Sequence, residues 1–140
     1  MTTTTTTRPA LLGIRHVALT VSDLEAAERF WVGIMGYTVE WRPDGDNLYL
    51  RSGSDNLALH RGEYRAPVDE SGQLDHIGLA VPKPDDVDAW AAFLAARGVT
   101  IRAQPRTHRD GSRSLYCYGP EDVLIQIIYH EPLSRPSTPD

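Results

Sequence analysis

The sequence holds a single cysteine, Cys117, among 140 residues. One thiol cannot close an internal disulfide, so nothing in the chain requires an oxidising compartment, and the cytoplasm is the expected setting. Its neighbourhood is of strand type, where a lone thiol reads as buried and inert rather than nucleophilic. Long hydrophobic runs are missing too. Nothing approaches the ~18 apolar residues that would argue for a membrane span. The threonine tract that opens the sequence lacks the apolar segment of a secretory signal. Dense Lys/Arg clusters are absent, and the formal net charge is -5. Without a basic stripe to track phosphates, nucleic acid is not an expected partner, and a small molecule is.

Apolar residues make up 41% and charged residues 24%, the balance of a soluble globular chain with one core. Residues 1–10 and 132–140 carry no periodic apolar pattern and are expected to be a disordered leader and tail. Between them, 11–131 reads as one domain of two modules, 12–62 and 74–131, joined by a polar linker over 63–73.

Module one opens with a β-branched, apolar strand over 13–21. Ser22 and Glu25 then have the spacing of a capping box. Leu24, Ala27, Phe30, Trp31, Ile34 and Met35 recur at helical spacing and predict a helix over 24–35, stopped by Gly36. Strands are expected at 37–42, 47–51 and 56–61, separated by Asp- and Gly-rich turns. Module two repeats the order, with a strand over 75–81, a helix over 85–97 and strands at 100–104, 112–118 and 123–130. The two halves match best at their first strands, where His16-Val-Ala-Leu-Thr-Val aligns with His76-Ile-Gly-Leu-Ala-Val. A βαβββ unit cannot bury its sheet face alone, so a repeat of it predicts two units sharing a core. The expected fold is α+β: a cupped, incomplete mixed β-barrel with helices outside.

Side chains alternate along a strand, so parity decides which of them can meet. Val17, Leu19 and Val21 should pack under a helix, as should Ile77, Leu79 and Val81. His16, Ala18 and Thr20 then face the concavity, with His76, Gly78 and Ala80. Ala58 and His60 share one face of their strand, and the repeat sets Gln126 in the place of Ala58. His16, Ala58/His60, His76 and Gln126 are thus expected to converge. Imidazole is the commonest transition-metal ligand, and an amide oxygen is a weaker, hard donor.

On these motifs the chain resembles the vicinal oxygen chelate superfamily, the group of glyoxalases, bleomycin-resistance proteins and extradiol dioxygenases. The resemblance rests on the opening His16 motif followed by Phe30-Trp31 and Met35-Gly36-Tyr37. It continues in Asp75-His76-Ile-Gly-Leu-Ala-Val and in Gly119-Pro120-Glu121-Asp122 leading into Leu124-Ile-Gln126-Ile. It implies a divalent metal (Fe, Mn, Zn or Ni) held by His16, His76 and Gln126, with His60 as a further donor or as the base. The carboxylates that members carry where Ala58 and Gln126 stand are absent here, which turns the reading away from glyoxalase-type proton transfer.

Two functions follow. The first is a metal-dependent enzyme acting on a small molecule with vicinal oxygens, by lyase, isomerase or oxygenase chemistry through an enolate or oxyanion. In it His60 is the leading base, and Tyr49 and Tyr116 donate to the substrate. The second is a metal-free binder of the drug-sequestering kind, in which Trp41, Tyr49 and Tyr116 stack on the ligand. A homodimer is expected in either case, to cover sheet edges, and the two histidines can then come from different subunits.

Overall fold

Two four-stranded mixed sheets, one per module, make up the fold in a computed structural model that describes residues 7, 8, 10, 12–63 and 74–135. All of the expected linker but residue 63, the start of the expected leader and the end of the expected tail lie outside the described residues. Module one runs β1 (His16–Val21), α1 (Leu24–Glu28), a π-helical segment (Arg29–Ile34), β2 (Thr38–Trp41), β3 (Asn47–Arg51) and β4 (Asn56–Arg61). Module two runs β5 (Ile77–Ala80), α2 (Pro84–Ala96), β6 (Ile101–Thr107), β7 (Arg113–Tyr118), a 3-10 turn (Pro120–Asp122) and β8 (Leu124–Tyr129). The sheet orders are β1-β4-β3-β2 and β5-β8-β7-β6, so the first strand of each module is an edge strand, and no closed barrel forms.

The parity expected from sequence holds. Leu48, Leu50, Leu57 and Leu59 of module one, and Leu115, Ile125 and Ile127 of module two, are buried on the helix side. Each such side chain contributes on the order of 1.5–3 kcal/mol by leaving water. Trp31 and Leu94 are buried, while Val17, Leu19, Leu79 and Trp90 are only half-buried against the same core. The edge position explains the difference for the strand residues, because β1 and β5 have a covering neighbour on one flank only. His16, Ala18 and Thr20 point away from the core and are exposed, as are Gly78 and Ala80.

The first helix departs from expectation in two ways. Ser22 and Glu25 do not form a capping box. Asp23 caps α1 instead, its carboxylate accepting from the Ala26 N–H at 2.9 Å. Ser22 and Glu25 are engaged elsewhere, Ser22 with Glu121 and Glu25 with Arg61. The α-helix also ends at Glu28 and continues as a wider π-turn. There the Met35 N–H bonds the Phe30 carbonyl and the Tyr37 N–H the Trp31 carbonyl. A π-turn inserts extra residues per revolution and rotates the face that follows. Phe30, Trp31, Met35 and Tyr37 all reach the core, with Trp31 edge-on to both Phe30 and Tyr37.

The modules meet along a seam that is tight at one end and open at the other. At the tight end the Glu121 carboxylate accepts from the Ser22 N–H at 2.7 Å, the Ser22 Oγ–H at 2.7 Å and the Asp23 N–H at 3.3 Å. These amides open α1, so a carboxylate from module two closes off the first helix of module one. Glu121 and Asp122 adopt left-handed backbone, with φ of 59° and 64°, to make that approach. Gly119 lies beside them, where a Cβ would stand 3.3 Å from Phe30 Cε1 and 2.8 Å from Val123 Cγ1. At the open end lies a cleft of about 500 Å³, lined among others by Arg15, Met35, Tyr37, Asp55, Val81 and Trp90.

Candidate functional site

The open face of module one is ordered in three cross-strand rows. The middle row is Ala18, Ala58, Tyr49 and Trp41, each paired with the next across β1, β4, β3 and β2. Tyr49 and Trp41 stack at 5.2 Å with rings 20° apart, and Trp41 is 60% exposed. One flanking row pairs His16 with Asn56, and the other pairs Thr20 with His60 and His60 with Asn47.

Both imidazoles are held in the same way. The Asn56 amide donates through Nδ2 to the Glu40 carboxylate at 2.8 Å, and its Oδ1 lies 2.6 Å from His16 Nδ1. A carboxylate only accepts, so Asn56 must turn its oxygen toward the ring, and His16 Nδ1 must carry the proton. Glu40 reaches Asn56 because β2 shifts register between Val39 and Trp41, a bulge that leaves Glu40 out of the ladder. In the other row Asn47 Nδ2 donates to Asp44 at 2.9 and 3.1 Å, and Asn47 Oδ1 lies 2.6 Å from His60 Nδ1. Asp44 is held below the usual carboxylate range by hydrogen bonds from the Asp46 N–H and the Asn47 side chain. His60 also takes the edge of the Tyr49 ring at 5.9 Å.

Module two repeats the middle row with different content: Gly78 pairs with Gln126, and Gln126 with Tyr116. Gln126 and Ala58 therefore hold equivalent places in the two registers, as do Tyr116 and Tyr49. His76 precedes β5, with its Nδ1 2.7 Å from the Asp75 carboxylate and its ring edge-on to Tyr116 at 5.2 Å. His16, His60 and His76 thus each place Nδ1–H on an acceptor, and none of their Nε2 atoms has a partner among the described residues.

Residues 13–127 match the family model of the Glyoxalase/Bleomycin resistance protein/Dioxygenase superfamily. The chain belongs to this superfamily. It is 25% identical over 130 residues to a manganese-dependent 2,3-dihydroxybiphenyl 1,2-dioxygenase from Geobacillus genomosp. 3, covering 89% of this chain and 38% of that one. It is 29% identical over 151 residues to a 2-epi-5-epi-valiolone epimerase from an Actinomyces species, covering 86% of this chain and 80% of that one. The chain therefore spans well under half the length of the dioxygenase. A solved lactoylglutathione lyase from Agrobacterium tumefaciens superposes with a TM-score of 0.69 at 21% identity, over 88% of this chain and 97% of that one. A glyoxalase/bleomycin resistance protein/dioxygenase from Nocardioides superposes at 0.70 and 22% identity, over 97% and 93%. At such identities the likeness establishes the fold, and members named as dioxygenase, epimerase and lyase show that this fold does not choose the reaction.

One relative is named as manganese-dependent, and a divalent metal requires deprotonated donors that converge on one point. The chemistry of each donor fits: a neutral imidazole with a bare Nε2 and a tethered Nδ1–H is the form in which histidine ligates. Within one chain, however, no group of three His, Cys, Asp or Glu side chains among the described residues comes close enough to share an ion. The seam shows why. Arg15, just before β1, shares the open cleft with Gly78, Ala80 and Val81, whereas Ser22, just after β1, meets Glu121 at the start of β8. Since β8 runs parallel to β5, β1 and β5 lie antiparallel along the seam. His16, the first residue of β1, and His76, just before β5, therefore stand at opposite ends, roughly 15 Å apart at ~3.3 Å per residue. His60 lies four residues along β4 from the partner of His16, about 13 Å of strand. The structure therefore brings Gln126, His76 and Tyr116 onto one face and His16, Tyr49 and His60 onto another, with no single point of convergence.

Glu40, Asp44, Asn47 and Asn56 carry no motif, and their part in the site emerges only from strand register. Asp75 alone was visible beforehand, as the neighbour of His76 in sequence. Cys117 is buried, which pushes its thiol up to about 11 and leaves it protonated. No helix among the described residues is long and apolar enough to cross a membrane.

Proposed function

We propose that the protein is a cytoplasmic enzyme acting on a small molecule with two neighbouring oxygens, with a divalent metal (Fe, Mn, Zn or Ni) held by His16 and His76. Gln126 would add an amide oxygen. The observation that carries this reading is the common state of the imidazoles, each with Nδ1–H tied to an acid or an acid-anchored amide and Nε2 without a partner among the described residues. Tethered imidazoles of this kind are prepared to ligate. One chain separates His16 from His76, so the site is shared in a homodimer, module one of one subunit facing module two of the other. The exposed, small-residue faces of β1 and β5 leave room for that approach.

Bound metal would supply Lewis-acid stabilisation of a developing oxyanion. The residues of the chain do the rest. His60, too far along β4 to join His16 as a ligand, accepts a proton at Nε2. Tyr49 and Tyr116, half-buried at equivalent places, donate to substrate oxygens. The test is metal analysis of protein loaded in turn with Fe(II), Mn(II), Zn(II) and Ni(II), together with sedimentation. Stoichiometric metal in a dimer, lost in both His16→Ala and His76→Ala, is expected. A chain that takes up none of the four ions would sink the reading.

A second reading has its own observation. Trp41, exposed and stacked on Tyr49, offers a flat aromatic ledge suited to holding a planar ligand without any metal. Saturable binding of an aromatic ligand by metal-free protein, lost in Trp41→Ala, would favour it.

A further inference from the structure

The superfamily positions that commonly hold acids are filled here by Ala58 and Gln126, which raises the question of where the carboxylates of the site are. We infer that Glu40 and Asp44 are those carboxylates, acting as positioning residues: each works through an asparagine, Asn56 or Asn47, to lock a histidine, His16 or His60, as its Nδ1–H tautomer.

The geometry carries this twice and independently. Glu40 can only accept, so Asn56 turns Nδ2 to it at 2.8 Å and Oδ1 to His16 Nδ1 at 2.6 Å. Asp44 orders Asn47 and His60 by the same logic, at 2.9 and 2.6 Å. The two chains of hydrogen bonds flank the Ala18–Ala58–Tyr49–Trp41 row on opposite sides and share no residue. An asparagine alone is ambiguous, because it can show either its oxygen or its nitrogen to the ring. The acid behind it removes the ambiguity, and with it the choice of tautomer. Each histidine then presents Nε2 as a bare lone pair. The use of that lone pair on a metal rests on the function proposed above; the locking of the tautomer does not.

The experiment records long-range 1H–15N imidazole correlations of the labelled full chain at about pH 8, where a reference imidazole is neutral, alongside titration with Zn(II). Wild type should show His16 and His60 as single Nδ1–H forms. Glu40→Gln frees Asn56 to flip, so His16 becomes a mixture of tautomers while His60 stays unchanged, which also certifies the fold. Asp44→Asn should do the reverse. The double variant Glu40→Gln/Asn56→Asp restores an obligate acceptor beside His16 and should restore the single tautomer. Zn(II) affinity should fall by about 10-fold or more in Glu40→Gln, the scale of outer-shell losses, and recover in the double variant. A His16 tautomer that does not respond to Glu40→Gln, or that the double variant fails to restore, overturns the inference. Tautomers that respond as stated in a protein that binds no Zn(II) uphold the relays and count against the metal reading alone.

Discussion

The two modules share one topology and one register but not one chemistry. Module one carries two histidines, each tied through an asparagine to an acid, on either side of a row that ends in stacked Tyr49 and Trp41. Module two ties His76 directly to Asp75, sets His108 on the Ser114 hydroxyl, and carries an amide, Gln126, where module one has a methyl group. The backbone repeat fixes where side chains can stand; a few substitutions on the open face decide what each half can do. The seam shows the same asymmetry. One end is closed by Glu121 on the start of α1, and the equivalent end beside α2 is an open cleft.

The comparison breaks most visibly at the histidines. His16→Ala and His76→Ala should each lower metal affinity by ~100-fold or more, since each removes a first donor. His60→Ala should leave metal content intact and lower turnover by ~100-fold, the scale of a positioned base. Metal analysis beside steady-state kinetics separates the two cases. Equal metal loss in all three variants would mean that the rows of module one are not distinct in role.

The tight end of the seam can be opened from within. Gly119→Ala sets a methyl group within 2.8–2.9 Å of Val123 Cγ1 and Ile125 Cδ1. Overpacking of this kind costs about 1–3 kcal/mol, and chemical denaturation should show it as a lower midpoint. The matching test at the open end is Gly78→Ala, where a Cβ meets nothing closer than 3.8 Å. That variant should change stability by less than ~1 kcal/mol.

Below the Gly119→Ala effect stands that of Glu121. Partial burial raises its pKa, but hydrogen bonds from Ser22 and Asp23 outweigh this and hold the carboxyl below its ordinary value of 4.5. A depressed folded value gives stability that is fully present above 4.5 and lost as pH falls through the folded value. Glu121→Ala should therefore cost about 1 kcal/mol at neutral pH, as for a lost helix cap. The gap between variant and wild type should close on acidification below 4.5. Thermal unfolding across that range checks the sign; a gap that widens in acid would rule out this cap. The surface pair Arg113–Asp88 at 2.7 Å, by contrast, lies in solvent, and Asp88→Asn should leave the unfolding midpoint unchanged.

Much of the fold was legible in the sequence. Alternation in His16-Val-Ala-Leu-Thr-Val told which side chains face the helices, and the repeat told that Gln126 stands where Ala58 stands. Helical spacing located α2 to within a residue at each end. The first helix was legible only in part. Its apolar positions were right, but the π-turn after Glu28 has no pattern of its own, because packing of Phe30, Trp31 and Tyr37 decides how the backbone winds. The capping box failed for a similar reason: Ser22 had a partner in Glu121, far along the chain, that local spacing cannot show. The candidate site was legible residue by residue and not as a constellation. His16, His60, His76, Gln126, Tyr49 and Tyr116 all lie on the open faces, yet their separation follows from the antiparallel run of β1 and β5 along the seam.

The sequence by itself determined the two-module plan, the buried faces and the placing of the histidines on the solvent side, because these depend on periodicities of two and 3.6 that any window of residues reveals. Only the tertiary structure decided which acid reaches which asparagine, which asparagine reaches which imidazole, and which end of the seam is closed. Apart from the local Asp44–Asn47 pair, those are contacts between residues far apart in the chain. They are set by strand register and by a single bulge at Glu40, and a register is a property of pairs of strands, which no strand carries alone.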